Sequence, residues 1–412
     1  VPLLYEQCLR SGATGGLPTS GFAAQRDGLT GGRRTSAERN YDAVVIGGGV
    51  VGLSIARRLV ADGRRVVLLE RGACGGEASW AGAGIVAPRG PHRIDALFHL
   101  QERSLDLYPS FCAELHQETG IDPEYDRCGE LELIFTEDLL RIAESDARAA
   151  AGRRMPSGEP VYRLLTAEEA RQLEPAASEQ IIGALQCQRT AQVRNPRLLA
   201  ALVGSCRSRG VMIHEERPAI DLLIEENRVR GVFSKDGVVR AAHVILAAGA
   251  WSAQISDRLQ GVLAVHPVRG QMILLKTDRR PFQRVLARGR TYLVPRRDGH
   301  VLLGSTEEPE AGFSKRVTAS GIAGLIERGL KLAPSLADAS VEATWAGLRP
   351  GTPDDKPLLG PVPGFDGLVA ATGHFRAGLT LAPVTAELVA RILAAEPYDL
   401  DLSSCDPMRL SG

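Results

Sequence analysis

The hydrophobic pattern changes character at Tyr41. Asp42 to Ile46 is a continuous apolar run of the kind a buried central strand carries, and Gly47-Gly48-Gly49-Val50-Val51-Gly52 follows it directly. Leu53, Ile55, Ala56, Leu59 and Val60 then recur at helical spacing until Gly63 ends the pattern. A second apolar run, Arg65 to Leu69, closes on Glu70, which completes a strand–turn–helix–strand unit. Further along, Glu137 to Ala151 reads as a polar-faced helix. Asn195-Pro196 opens another that Gly210 closes. Short alternating runs at 211–214, 220–224, 229–233, 238–240 and 244–246 predict a strand meander. Tyr292 to Pro295 and Val301 to Gly304 predict a hairpin across Asp298-Gly299, and the last helix is predicted over about Leu381 to Ala394. Residues 1–40 carry scattered Gly, Ser and Thr without any apolar period, which predicts a disordered extension.

Composition narrows the class. The 412 residues balance 49 basic against 49 acidic side chains, which argues against general nucleic-acid binding and against a polybasic membrane anchor. The seven cysteines form no Cys-x-x-Cys pair, so neither a disulfide scaffold nor a metal site is expected. No uninterrupted apolar stretch is long enough to span a bilayer, and a cytoplasmic globular protein is the expectation.

The candidate chemistry starts at Gly47-x-Gly49-x-x-Gly52. Alone this motif is weak, but here it follows a strand and opens a helix, with an acidic residue at the end of the next strand. Gly47 permits the tight turn, Gly49 lets backbone approach a pyrophosphate, and Gly52 lets helix and strand pack closely. Glu70 can accept hydrogen bonds from ribose hydroxyls and would repel a 2′-phosphate, so an adenine dinucleotide is predicted. Residues 75–88 (GGEASWAGAGIVAP) are a run of small side chains along which a long cofactor could lie against backbone; an ordinary flexible loop is the competing reading.

Together with Val244 to Ser252 (VILAAGAWS), Trp345 to Asp354 (WAGLRPGTPD) and Gly373 to Leu379 (GHFRAGL), these stretches resemble the D-amino-acid oxidase superfamily of FAD enzymes. Glycine oxidases of the thiamine-pathway type are the most similar members. The resemblance covers about residues 41–395. It implies an α/β fold, with a Rossmann-like FAD-binding domain at 41–90, 190–258 and 345–400. A discontinuous, β-sheet-rich α+β substrate domain at 91–189 and 259–344 is inserted into it, and 401–412 form a tail. It also implies non-covalent FAD, consistent with the lack of Cys between 207 and 404, and a homo-oligomer.

By position, the resemblance places Val50, Val51, Glu70, Arg71, Ala78, Ser79, Ala83, Gly84, Ile85 and Val193 against FAD. The run His374, Phe375, Ala377, Gly378, Leu379 and Thr380 would pass beside the flavin. Arg349 and Arg376 correspond to substrate-binding arginines and Tyr292 to a substrate-carboxylate tyrosine. The residues bear this reading physically, since a planar guanidinium suits a carboxylate. Structural readings stand beside each: an internal salt bridge for Arg349, packing for Arg376, simple core for Tyr292 and a structural role for His374. The implied reaction is oxidation of glycine, sarcosine or D-alanine through an imine to a 2-oxo acid, with oxygen reduced to hydrogen peroxide. No side-chain acid or base is required. A dehydrogenase passing electrons to a quinone or partner protein is the alternative. Ala377 and Asp355 depart from the pattern, and Glu307 falls where the active-site wall is expected, which leaves substrate size and charge open.

Overall fold

The computed structural model describes residues 41–410 except Arg89 and Arg93, so the extension expected at 1–40 lies outside the described residues. The main elements in chain order begin with β1 (Tyr41–Ile46), α1 (Val50–Ala61) and β2 (Val66–Leu69). Next come α2 (Ala96–Thr119), β3 (Glu130–Ile134), β4 (Tyr162–Thr166), β5 (Gly183–Cys187) and α3 (Asn195–Ser208). They continue with β6 (Met212–His214), β7 (Ala219–Glu225), β8 (Arg228–Ser234), β9 (Gly237–Leu246), β10 (His266–Lys276), β11 (Val285–Arg288) and β12 (Thr291–Pro295). The chain closes with β13 (His300–Gly304), β14 (Ser340–Gly351), β15 (Leu358–Pro361), β16 (Leu368–Thr372) and α4 (Gly378–Ala394).

Two eight-stranded sheets organise these elements. The first runs β15-β16-β9-β1-β2-β6, with the β7–β8 meander extending from β9. Its inner strands are parallel: β1 pairs with both β2 and β9, and β9 with β16. Strands covered on both faces must be apolar throughout, which is why Ala43 to Ile46 and Val66 to Leu69 are all buried. One face packs against α1, α2, α3 and α4 through Leu53, Leu59, Leu100, Leu115, Leu198 and Leu388. The second sheet runs β14-β10-β13-β12-β11-β3-β5-β4 and is antiparallel except where β11 meets β3. Among the described residues no helix is long and apolar enough to cross a membrane.

Two expected boundaries shift. Residues 96–119, assigned to the substrate domain, form α2, which packs with the helices of the first sheet. Asp95 caps it by accepting from the Phe98 N–H at 2.9 Å, and Leu97, Leu100, Tyr108 and Leu115 join that core. Residues 345–351, assigned to the FAD domain, belong to β14 and pair with β10 across the second sheet.

A charged network ties α1, α2 and α3 together. Arg57, only 8% exposed, donates to Ser205 Oγ at 2.8 Å and to Glu118 at 2.6 Å, and Arg209 also reaches Glu118. Burial pushes the Glu118 pKa up, but hydrogen bonds from Arg209, Arg57 and Ser205 outweigh it and hold the carboxyl down to about 2. Because the folded pKa lies below the unfolded value, this stability is present above about 4.5 and is lost as pH falls towards 2. Glu118→Gln is expected to cost about 1–2 kcal/mol at pH 7, less than a fully buried pair because solvent reaches Glu118. The gap between the urea midpoints of variant and wild type should narrow as pH falls below about 4.5 and close only towards pH 2, and a constant gap would contradict the network's role.

Candidate active site

The first strand delivers the chain into a turn that only glycine fits. Gly47 has φ +107°, and a Cβ there would lie 2.4 Å from the Ala247 carbonyl oxygen. A Cβ on Gly52 would lie 2.0 Å from Gly47 O, so this residue sets how closely α1 approaches its own strand. The opening turn of α1 has no carbonyls four residues back to occupy its N–H groups, and its positive end faces the cavity. Ser79 Oγ accepts the Val50 N–H at 2.9 Å. Glu70 is fixed by the N–H groups of Gly48 at 2.7 Å and Gly72 at 2.9 Å. These bonds orient its carboxylate at the cavity edge and leave lone pairs for further donors.

From this turn a cavity of about 980 Å³ runs between the two sheets, at the upper end of the range of ~300–1,000 Å³ typical of cofactor and ligand pockets. Gly47, Gly49, Val50, Val51, Glu70 and Arg71 line its first part, and Ala78, Ser79, Ala83, Gly84 and Ile85 its middle. Tyr292, Arg349 and the run His374 to Thr380 line the remainder. Gly52 stays behind the turn. Val193 is fully buried directly behind Gly84. Its N–H donates to Gly84 O at 2.8 Å, so it holds the small-residue run in place from behind.

Several lining residues lacked a sequence signal. Pro218 and Ala219 close the Glu70 end. They follow β6, the next parallel strand, and the rule that ligands sit at the carboxyl ends of such strands could have found them. Arg296 lies beneath the small-residue run and donates to Ala83 O at 2.8 Å, Val193 O at 2.9 Å and Gln192 Oε1 at 2.8 Å. Burial, with the charge of Arg194 adding to it, pulls its pKa down to about 10. Trp251 also lines the cavity and takes the Arg71 guanidinium over its ring at 3.4 Å.

The two candidate arginines differ sharply. Arg349, on β14, donates to Ser305 Oγ at 2.6 Å and Thr306 O at 3.2 Å, and no acidic side chain among the described residues is paired with it. Burial is the main force lowering its pKa; the Arg376 charge lowers it too, while Tyr292 and Glu307 oppose the shift. Arg376, by contrast, is ion-paired with Glu307, its Nε donating at 3.0 Å. Tyr292 faces Met272, its hydroxyl 3.5 Å from the sulfur. His374 is buried with Nε2 3.1 Å from Thr385 Oγ1, and burial alone pushes its pKa down to about 4, so the imidazole is neutral at pH 7.

The helix α4 opens at Gly378, three residues before the sequence pattern suggests, because the Gly378-Leu379-Thr380 turn is anchored from α2. Tyr108 OH donates to Leu379 O and Ser104 Oγ to Thr380 O, each at 2.6 Å. The N–H groups of that first turn therefore sit at the cavity with no intrahelical acceptor.

These features fit FAD. The Gly47 turn leaves a cradle that a side chain would fill, Glu70 suits ribose hydroxyls, and the opening of α1 suits a pyrophosphate. The length of the cavity past Gly84 accommodates a ring system as well.

Comparison with known proteins agrees. Residues 42–392 match the family described as FAD dependent oxidoreductase (DAO). The glycine oxidase of Pseudomonas aeruginosa is 42% identical over 362 residues, spanning 87% of this chain and 96% of that protein. The crystal structure of glycine oxidase from Geobacillus kaustophilus matches with a TM-score of 0.84 at 32% identity, over 90% of this chain and 99% of that one. The bifunctional protein ThiO/ThiG of a Nostoc species is 34% identical over 370 residues, 88% of this chain but 54% of that protein. With the family matched across the two sheets and their connections, the chain belongs to the DAO family of FAD dependent oxidoreductases.

Proposed function

We propose that this FAD-dependent amino acid oxidase acts on glycine or another small amino acid or secondary amine, such as sarcosine or D-alanine. The products would be a 2-oxo acid formed through an imine, and hydrogen peroxide, with the reaction feeding thiamine thiazole synthesis. The observation that carries this reading is Arg349, a half-buried guanidinium in the cavity wall with no acidic partner among the described residues. A poorly solvated unpaired cation is costly, and a substrate carboxylate offsets that cost on binding.

The chain's own groups act by binding and orientation. Arg349 would hold the carboxylate and Tyr292, on β12 of the same sheet, would bound it, which fixes the rest of a small substrate against the cavity wall. His374 is neutral and engaged with Thr385, so it takes no proton; the amine loses its proton to solvent before reacting. The free N–H groups at the start of α4 favour negative charge developing in the cavity. When bound, the flavin supplies the two-electron oxidation.

Glycine, sarcosine and D-alanine added under air to the purified yellow protein should bleach the flavin and release peroxide. No bleaching with any amine overturns the proposal. Bleaching without peroxide, with an artificial acceptor much faster than oxygen, would overturn the oxidase step in favour of a dehydrogenase.

A further inference from the structure

Glu307 lines the same cavity, as its expected place at the active-site wall implied. Its carboxylate, with the side chain 15% exposed, bridges two arginines: Oε2 accepts from Arg376 Nε at 3.0 Å, and Oε1 pairs with Arg290 Nη1 at 2.5 Å. Arg290 is 71% exposed, so solvent and salt screen its charge. Arg349, Arg376 and Glu307 then form a cluster that sums to one positive charge, and within it the open guanidinium is Arg349. Glu130, on β3, also lines the cavity, and burial pushes its pKa up to about 7.

The segment carrying Glu307 is held rigidly. The neighbouring Glu308 accepts from Arg269 Nε at 2.9 Å, Gln271 Nε2 at 2.7 Å and Thr306 Oγ1 at 2.5 Å. Its backbone N–H donates to Arg269 O at 2.9 Å. Arg349 bonds to Ser305 and Thr306 of the same segment, so the open arginine and the acid that occupies the other one share a fixed support.

We propose that Glu307 determines substrate charge: by occupying Arg376 it leaves one anion site and restricts the enzyme to amines bearing a single carboxylate. This rests on the proposed role of Arg349 as the carboxylate site. A second carboxylate, as in D-aspartate or iminodiacetate, would meet the Glu307 carboxylate instead of a free guanidinium. Like-charge juxtaposition of this kind is a strong discriminator. Glu307 is a positioning residue, because it acts through Arg376.

The test compares holoenzymes of wild type, Glu307→Gln and Glu307→Asp with glycine, sarcosine, D-aspartate and iminodiacetate. Glu307→Gln should raise the kcat/KM ratio of dicarboxylate to glycine by about tenfold or more, mainly through KM. Glu307→Asp, which keeps the charge, should return the ratio close to wild type. An unchanged ratio in Glu307→Gln overturns the proposal, as does Glu307→Asp behaving like Glu307→Gln. A second measurement needs neither variant nor turnover: acetate and malonate titrated into wild-type holoenzyme and read by flavin absorbance. Malonate should bind about tenfold more weakly, and equal affinity overturns the charge rule. If no amine bleaches the wild-type flavin, the oxidase reading fails, while the acetate–malonate comparison still decides the role of Glu307.

Discussion

Arg349→Met lowers kcat/KM for the preferred amine by about two to three orders of magnitude, with most of the loss in KM. Removing one partner from a desolvated charge pair costs about 2–5 kcal/mol, and each 1.4 kcal/mol is tenfold. The same replacement should leave the thermal midpoint unchanged or raise it, because a half-buried cation with no acidic partner among the described residues gives way to an apolar side chain of similar reach. The hydrogen bonds lost are those to Ser305, Thr306 and the Tyr292 side chain. Steady-state kinetics and a melting curve on one preparation check both halves. A lower midpoint together with an unchanged KM would show Arg349 to be a structural residue, contrary to its proposed role. Arg349→Lys should recover only part of the loss, since an ammonium keeps the charge but not the planar fork.

Gly52→Ala should abolish FAD binding. The added Cβ meets Gly47 O at 2.0 Å, and that oxygen belongs to the turn itself, so α1 must move off the strand and take its N-terminal N–H groups with it. Overpacking against backbone costs about 1–3 kcal/mol or more, and here the displacement falls on the phosphate-facing turn. The variant should purify nearly colourless. Added FAD should raise the wild-type melting point, by roughly 2.7 kcal/mol of stability at a hundredfold excess over Kd, and leave the variant unmoved. Gly152→Ala is the control, because nothing lies within 4 Å of its Cβ position. Normal FAD content in Gly52→Ala would mean that the close approach of helix and strand is dispensable.

The first strand–turn–helix–strand unit was legible because its signals are local. Buried parallel strands are continuous apolar runs, and the glycines between them stand at fixed spacing. The helix 96–119 was not anticipated, since Pro109 and its mixed charges blur the helical period; its Asp95 cap and Gly120 stop were the readable ends. The domain boundaries shifted for a related reason: periodicity identifies an element but not the sheet it joins, and residues 345–351 pair with β10 far away in sequence. The site divides along the same line. Residues within contiguous motifs line the cavity, whereas Pro218 and Ala219 reach it only through tertiary packing, and Arg296 supports it from beneath. The ion pair that distinguishes Arg376 from Arg349 joins residues 69 positions apart, and no local pattern announces it.

The order of strands in the first sheet has a consequence for how the chain is made. β1 and β2 are made before the other strands described, yet β9 pairs with β16, whose residues 368–372 follow it by more than a hundred positions. The helix 378–394, whose first N–H groups lie at the cavity, comes later still. Such non-local closure is slow, and it leaves the sheet edge at β9 without that partner until residues 368–372 have been made. The nucleotide turn at residues 47–52 thus stands early in the chain while the strand and helix that complete its sheet and cavity are made far later.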